Sequence, residues 1–384
     1  MQSPHASSML PNTGAPPDMD RETRFFSRQV ILADSAVPAE IVVRGNRILA
    51  VEPRSTATDS AEDWGDDLLM PGLIDIHTDN LEKHYQPRPG ATWDAIGAVI
   101  AHDGQCAAAG ITTVFDSLSM HGERNGLNRG EAFAVMADAI TRAGEDGLLR
   151  LDHKLHVRCE VTNDAMQERL GPQQENSRLG MLSMMDHRPG QRQMANRRNA
   201  SAEAPARVYD EALCARNRQA VAELARGRDI ALAAHDDATE AHVAEARGHG
   251  ATIAEFPVTL DAARAARAAG MSIAMGGPNL VRGGSHSGNL SAREAARHDL
   301  LDILASDYIP LSLLRGAFLL AEEPFGWSLP RALATVTNAP ARATGLADRG
   351  RLSEGLRADI IRVAWQPGQW PRLRGTYCAG ERVG

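Results

Sequence analysis

The sequence predicts an α/β protein: a (β/α)8 TIM-like barrel carrying a small β-domain made from both chain ends. Three observations point there. Short apolar runs alternate with Ala-rich stretches of helical period through the middle of the chain. About eight such runs can be counted, the number that closes a barrel. Two strand-rich segments of similar texture flank them, and neither is long enough to close a core alone. Regular alternation favours a parallel sheet with helical crossovers. An open doubly wound sheet shares that alternation, so pattern alone leaves it open.

The elements follow in chain order. Residues 1–20, MQSPHASSMLPNTGAPPDMD, lack the basic and apolar regions of a signal peptide and read as a flexible tail. Residues 21–69 supply half of the small β-domain, through QVILAD and EIVVRGNRILAVEP with a turn at Gly45-Asn46. Residues 350–384 supply the other half. Residues 70–349 form the barrel. Its strands are predicted at 72–77, 111–116, 155–161, 181–187, 230–235, 252–256, 272–276 and 303–308, and its helices at 95–109, 130–145, 210–226, 238–247, 260–269 and 291–301. The polar stretch 191–205 reads as a long loop, a kind that is usually functional or disordered.

Composition narrows the function. With 384 residues, 43% hydrophobic and only 4% aromatic, the core must rest on Ala, Leu, Ile, Val and Met. A formal net charge of −8 argues against nucleic acid or an anionic membrane as partner. Four widely spaced cysteines without a CxxC pair fit a reducing compartment, and no apolar run spans a bilayer, so the expected location is the cytoplasm.

Ionisable residues fall where strands end: His77 and Asp79, Asp116, Glu160, His187, His235, Glu255 and Asp307. One such residue is ordinarily structural or solvated. Several on separate strands are another matter, because all strand C-termini of a parallel barrel open on one face. Neutral imidazoles and carboxylates meeting there make a divalent-metal site, and a nearby carboxylate can take a proton from water. His77 and Asp79, two residues apart, point to one side if strand geometry persists.

His156, Arg158 and Glu160 share a strand face, and the first two are read as partners of Glu160 and nearby backbone. One of Asp236 and Asp237 is expected to cap the next helix. His5, His102, His153, His242, His249 and His298 are read as surface residues.

With PGLIDIHTDNLEKHYQPRPG, TTVFDSLSM, HKLHVRCEV, MMDHRPGQRQ, AHDDAT, AEFPVT, GGPNLVRGGSHSGNLSA and LDILASDYIP in view, the chain resembles the amidohydrolase superfamily, and within it the phosphonate-utilisation branch. The superfamily's usual His-x-His opening is here His77-Thr78-Asp79. HTDNLEKH and VRGGSHSGN are the specific signals.

The resemblance implies a metal ligand set of His77, Asp79, Glu160 (bridging), His187, His235 and Asp307, with Asp307 also the catalytic base. The implied cofactor is one or two divalent ions, zinc before manganese. The implied substrate is a phosphorylated ribosyl phosphonate whose triphosphate is cut to a monophosphate and pyrophosphate, and by analogy the protein is a homodimer.

Substrate-binding groups expected at the mouth are Lys83, His84 and Arg88 after the first strand, Arg188 and Arg192 after the 181–187 strand, and Arg282, Ser285 and His286 around Gly283-Gly284. Solvated basic loops are the plain alternative. The rival functions are a C–N hydrolase of the same superfamily, acting on a neutral substrate, and a non-catalytic subunit of a phosphonate-processing assembly.

Overall fold

The computed structural model describes residues 22–188, 192, 209–284 and 288–384. The expected tail, almost all of the 191–205 loop, and Ser285 and His286 lie outside the described residues.

An eight-stranded parallel sheet runs in strict chain order: Leu73–Thr78, Ile111–Ser119, Asp152–Glu160, Leu179–Met185, Ala231–His235, Ile253–Glu255, Ser272–Gly276 and Ile303–Ala305. These are the first to eighth barrel strands below. A doubly wound sheet would reverse its order part-way, so sequential order removes that alternative.

The eighth strand returns to the first at the mouth. Asp307 N–H donates to His77 O at 2.9 Å, and Asp79 N–H donates to Asp307 O at 2.8 Å. Lower down, Leu304 N–H bonds Thr335 O (3.0 Å) and Ile74 N–H bonds Val336 O (2.8 Å), so a short segment bridges the two strands there. The barrel is nearly closed, and it is tied directly where the ionisable residues lie.

Helices cross between the strands, including Ala95–Ala107, Arg129–Glu145, Glu211–Gly227, Glu240–Gly248 and Leu260–Ala268. Ser312–Ala321 is a helix that the sequence pattern does not reveal. It is buried on most sides, with Arg315 and Leu319 on its more open face.

A second sheet holds both chain ends. Its order is Glu381–Arg382, Arg372–Cys378, Ile360–Ala364, Leu68–Pro71, Glu22–Ile31, Ala36–Arg44 and Arg47–Pro53. Leu68–Pro71 lies between the two halves, antiparallel to Ile360–Ala364 and parallel to Glu22–Ile31. Three of the scarce aromatics pack together here, with Phe25 ring centroids 4.9 Å from Trp64 and 4.8 Å from Tyr377.

From Leu68–Pro71 the chain passes through Gly72 into the first barrel strand. A Cβ at Gly72 would lie 2.3 Å from Thr112 Oγ1, so only glycine allows so close a crossing.

Candidate metal centre

Strand alternation selects what enters the lumen. Ile74, Ile76, Phe115, Met181, Ala233, Ile253, Ala274, Ile303 and Ala305 form its apolar floor. Alanines on three of the strands leave space above them. The ladder between the first and second strands is irregular between Asp75 and Thr78. His77 thereby joins the lumen residues although its neighbour Ile76 lines the lumen too.

The His77 ring is held from behind. Its Nδ1–H donates to Glu255 Oε1 at 2.7 Å, and Glu255 Oε2 accepts from Ser183 Oγ at 2.7 Å. Ser183 in turn meets His156 Nε2 at 2.5 Å, and His156 Nδ1 lies 2.9 Å from Ile76 O. Burial alone would raise the Glu255 carboxyl, but His77, which bonds it, outweighs this and the carboxyl lies well below the ordinary range. His156 itself is pushed down to about 3 by burial and is neutral. A carboxylate behind an imidazole fixes its tautomer, and here it leaves His77 Nε2 as the free lone pair.

His235 lies beside it, with ring centroids 5.6 Å from His77 and 6.3 Å from His187. His187 Nδ1 donates to Glu160 Oε2 at 2.6 Å, and Thr162 Oγ donates to Glu160 Oε1 at 2.7 Å. Asp79 gives Oδ2 to Arg124 at 2.8 Å. Burial would raise Asp79, but the charges of Arg158 and Arg124 outweigh it and lower its pKa. Asp307 moves the other way: burial, then the Asp79 charge, raise it. His77, Asp79, Glu160, His187, His235 and Asp307 thus share one mouth.

Does this mouth fit a divalent ion? Both His235 nitrogens, Asp79 Oδ1 and Asp236 Oδ2 are buried and make no hydrogen bond, although His235 Nδ1 and Asp236 Oδ2 stand 2.8 Å apart. Ligand atoms of His187, His235 and Asp236 lie within 4.8 Å of one another. Buried polar atoms are almost always paired, so several orphans of imidazole and carboxylate type in one place fit a cation. The backbone there is also strained. Asp236, Phe256 and Asp307, just past three of the strands, have φ of 60°, 55° and 56°, values costly for residues other than glycine.

The expected cations divide. Lys83 Nζ donates to Tyr308 O and lies 5.1 Å over the Tyr308 ring, beside the mouth. Arg88 and Arg282 are exposed. His84 donates to Gln105 Oε1 at 2.8 Å, and burial lowers its pKa, so it is no cation at neutral pH. Arg188 is bound by Asp186 (2.7 Å) and by Glu211, while Arg192 is bound by Asp237. Carboxylates close by in the fold neutralise both.

Several expectations need correction. Arg158 and His156 do not bond Glu160, whose partners are His187 and Thr162. Neither Asp236 nor Asp237 caps the following helix. Thr239 does, accepting from His242 N–H. Asp236 instead places Oδ2 2.8 Å from His235 Nδ1.

His102 and His153 are wholly buried rather than superficial. They flank Asp116 in the barrel wall, His102 Nε2 at 2.9 Å from Oδ1 and His153 Nδ1 at 2.8 Å from Oδ2. Asn80, next to Asp79, donates to His102 Nδ1 at 3.1 Å. One signal was there to read: His102 shares a helix face with Ala98, Val99 and Cys106, all buried.

No protein-family model matches the chain. It is 42% identical over 372 residues to the α-D-ribose 1-methylphosphonate 5-triphosphate diphosphatase of Escherichia coli strain K12, a match covering 92% of this chain and 98% of that protein. The chain belongs to that diphosphatase family. The family's fold is met again in solved structures of much lower identity. N-acetyl-D-glucosamine-6-phosphate deacetylase from Mycobacterium smegmatis gives a TM-score of 0.64 at 16% identity, covering 94% of this chain and 100% of that one. D-hydantoinase gives 0.61 at 14%, covering 94% and 95%. These likenesses show a fold shared with those two enzymes.

Proposed function

We propose that the chain hydrolyses the triphosphate of α-D-ribose 1-methylphosphonate 5-triphosphate, yielding the 5-phosphate and pyrophosphate in phosphonate catabolism. One observation carries the reading: imidazoles and carboxylates from separate strands, with orphaned buried atoms among them, meet at the mouth of a chain 42% identical to a diphosphatase of that name.

His77, Asp79, Glu160, His187 and His235, with Asp307 beside them, would hold one or two divalent ions, zinc or manganese. A bound cation supplies Lewis acidity, drawing charge from phosphoryl oxygens and making a water easier to deprotonate. Asp307 receives that proton at its carboxylate, which burial and Asp79 have made more basic than an ordinary aspartate. Glu255 keeps the His77 proton on Nδ1 and the ring in place. Lys83 adds positive charge at the rim, where the departing pyrophosphate needs it.

Four buried free thiols support a reducing, cytoplasmic setting. Among the described residues no helix is long and apolar enough to cross a membrane. The net charge of −8 supports a small-molecule partner rather than nucleic acid or membrane. A homodimer is part of the reading by analogy, and light scattering decides it.

The decisive experiment joins elemental analysis of the purified protein to phosphorus NMR of its products from the ribosyl triphosphate. Pyrophosphate with stoichiometric zinc or manganese is expected. Release of ammonia or a new carboxylate from other substrates, with no pyrophosphate from this one, would make the protein a C–N hydrolase instead.

A further inference from the structure

The charges at the mouth are not all answered. Arg124 binds Asp79 and Glu82, and Arg129 binds Glu82. Arg158 is different. Among the described residues its one hydrogen bond runs from Nε to Met185 Sδ at 3.2 Å, and no carboxylate pairs with it.

Arg158 lies on the third barrel strand between His156 and Glu160, in register with Ser119 and Ser183. Alternation puts all three on one face, and His156 faces the lumen, so Arg158 sits one layer above it and one below Glu160. That places it at the mouth, directly beneath the carboxylate that bonds His187.

A guanidinium kept only to balance Asp79 or Asp307 would bond one of them, and this one bonds neither. A cation beside a cation site is repelled by whatever ion occupies it, unless an anion lies between them. Phosphoryl oxygens are such an anion, and the planar guanidinium fork matches them. The contact to Met185 engages Nε, and among the described residues none bonds the terminal N–H groups.

We propose that Arg158 binds the phosphoryl group held at the metal centre, donating its terminal N–H groups to non-bridging oxygens. The inference rests on the functional reading above and deepens it. Arg158, rather than the neutralised Arg188 and Arg192, then sets the preference for a phosphoric anhydride over a neutral amide.

The test uses the metal-loaded full chain, with inorganic tripolyphosphate as probe in titration calorimetry and metal content measured in parallel. Arg158→Ala should weaken tripolyphosphate binding by about tenfold or more at unchanged metal per chain. Arg158→Lys keeps the charge without the fork and should fall between. If the alanine variant does not fold, Arg158→Gln keeps the side chain's length against Met185 and takes its place.

Binding within about twofold of wild type at equal metal content would overturn the inference and leave the diphosphatase reading standing. So would a loss of binding that merely follows loss of the metal. Wild-type protein that neither binds tripolyphosphate nor releases pyrophosphate from the ribosyl triphosphate would overturn the functional reading, and this inference with it.

Discussion

Two clusters of histidine and carboxylate lie in this barrel, one wholly buried and one with His187 half-buried, and their chemistry differs more than their composition. In the wall, His102, Asp116 and His153 bring ligand atoms within 4.8 Å of one another, as His187, His235 and Asp236 do at the mouth. The wall is closed by protein. Asn80 holds His102 Nδ1, both Asp116 oxygens take imidazole N–H groups, and Asp103 accepts from Arg150 and Leu151. Its one loose end, His153 Nε2, lies 3.4 Å from Asp103 Oδ1. The mouth keeps His235 Nε2 and Asp79 Oδ1 without partners, and its His235 Nδ1 and Asp236 Oδ2 stand 2.8 Å apart without forming a hydrogen bond. Residue type does not separate the two clusters. Saturation of hydrogen bonds does.

Substitutions should therefore part company. Asp307→Asn at the mouth is expected to cut pyrophosphate release by about 10²–10⁴ while leaving the thermal transition nearly in place, because it removes a proton acceptor and also a buried charge. Near-wild-type turnover in that variant would take Asp307 out of the reaction.

His153→Ala in the wall is expected to cost roughly 3–5 kcal/mol of stability, since Asp103 and Asp116 lose the cation between them. Denaturant unfolding measures it, and metal per folded chain should not change. A His153 variant that sheds metal at full stability would erase the distinction between the clusters.

The same contrast separates what was legible in the sequence from what was not. The eight strands could be read because each is a short apolar run bounded by breakers. The mouth residues could be read because parallel strands deliver their C-terminal ends to one face, so His77, Glu160, His187, His235 and Asp307 needed no knowledge of distances.

Pairing was out of reach. That Glu255 backs His77, that Arg188 and Arg192 are taken by carboxylates, and that Arg158 is not, are facts about side chains that meet only in three dimensions. Thr239 was legible as a cap, a threonine standing just before a helical stretch, yet the aspartates preceding it drew the prediction. The irregular ladder at Asp75–Thr78 has no sequence signal, and it joins His77 to the lumen against simple alternation.

The smallest effect sharpens the comparison most, because it needs no lost interaction, only a lost proton. Burial would push His153 down, but Asp116 and Asp103 reverse this and hold it up at about 9, against an ordinary 6.5. A histidine raised in the fold contributes its stability in full below the ordinary value and loses it as pH climbs through the raised one. Wild type should therefore lose on the order of 2 kcal/mol of its advantage over His153→Gln between roughly pH 6.5 and 9. Denaturant melts of the two proteins across that window measure the gap, and subtracting them cancels every group they share. A gap that stayed constant with pH would mean that His153 is neutral. The wall would then be held by hydrogen bonds alone, without the imidazolium that sets it apart from the mouth.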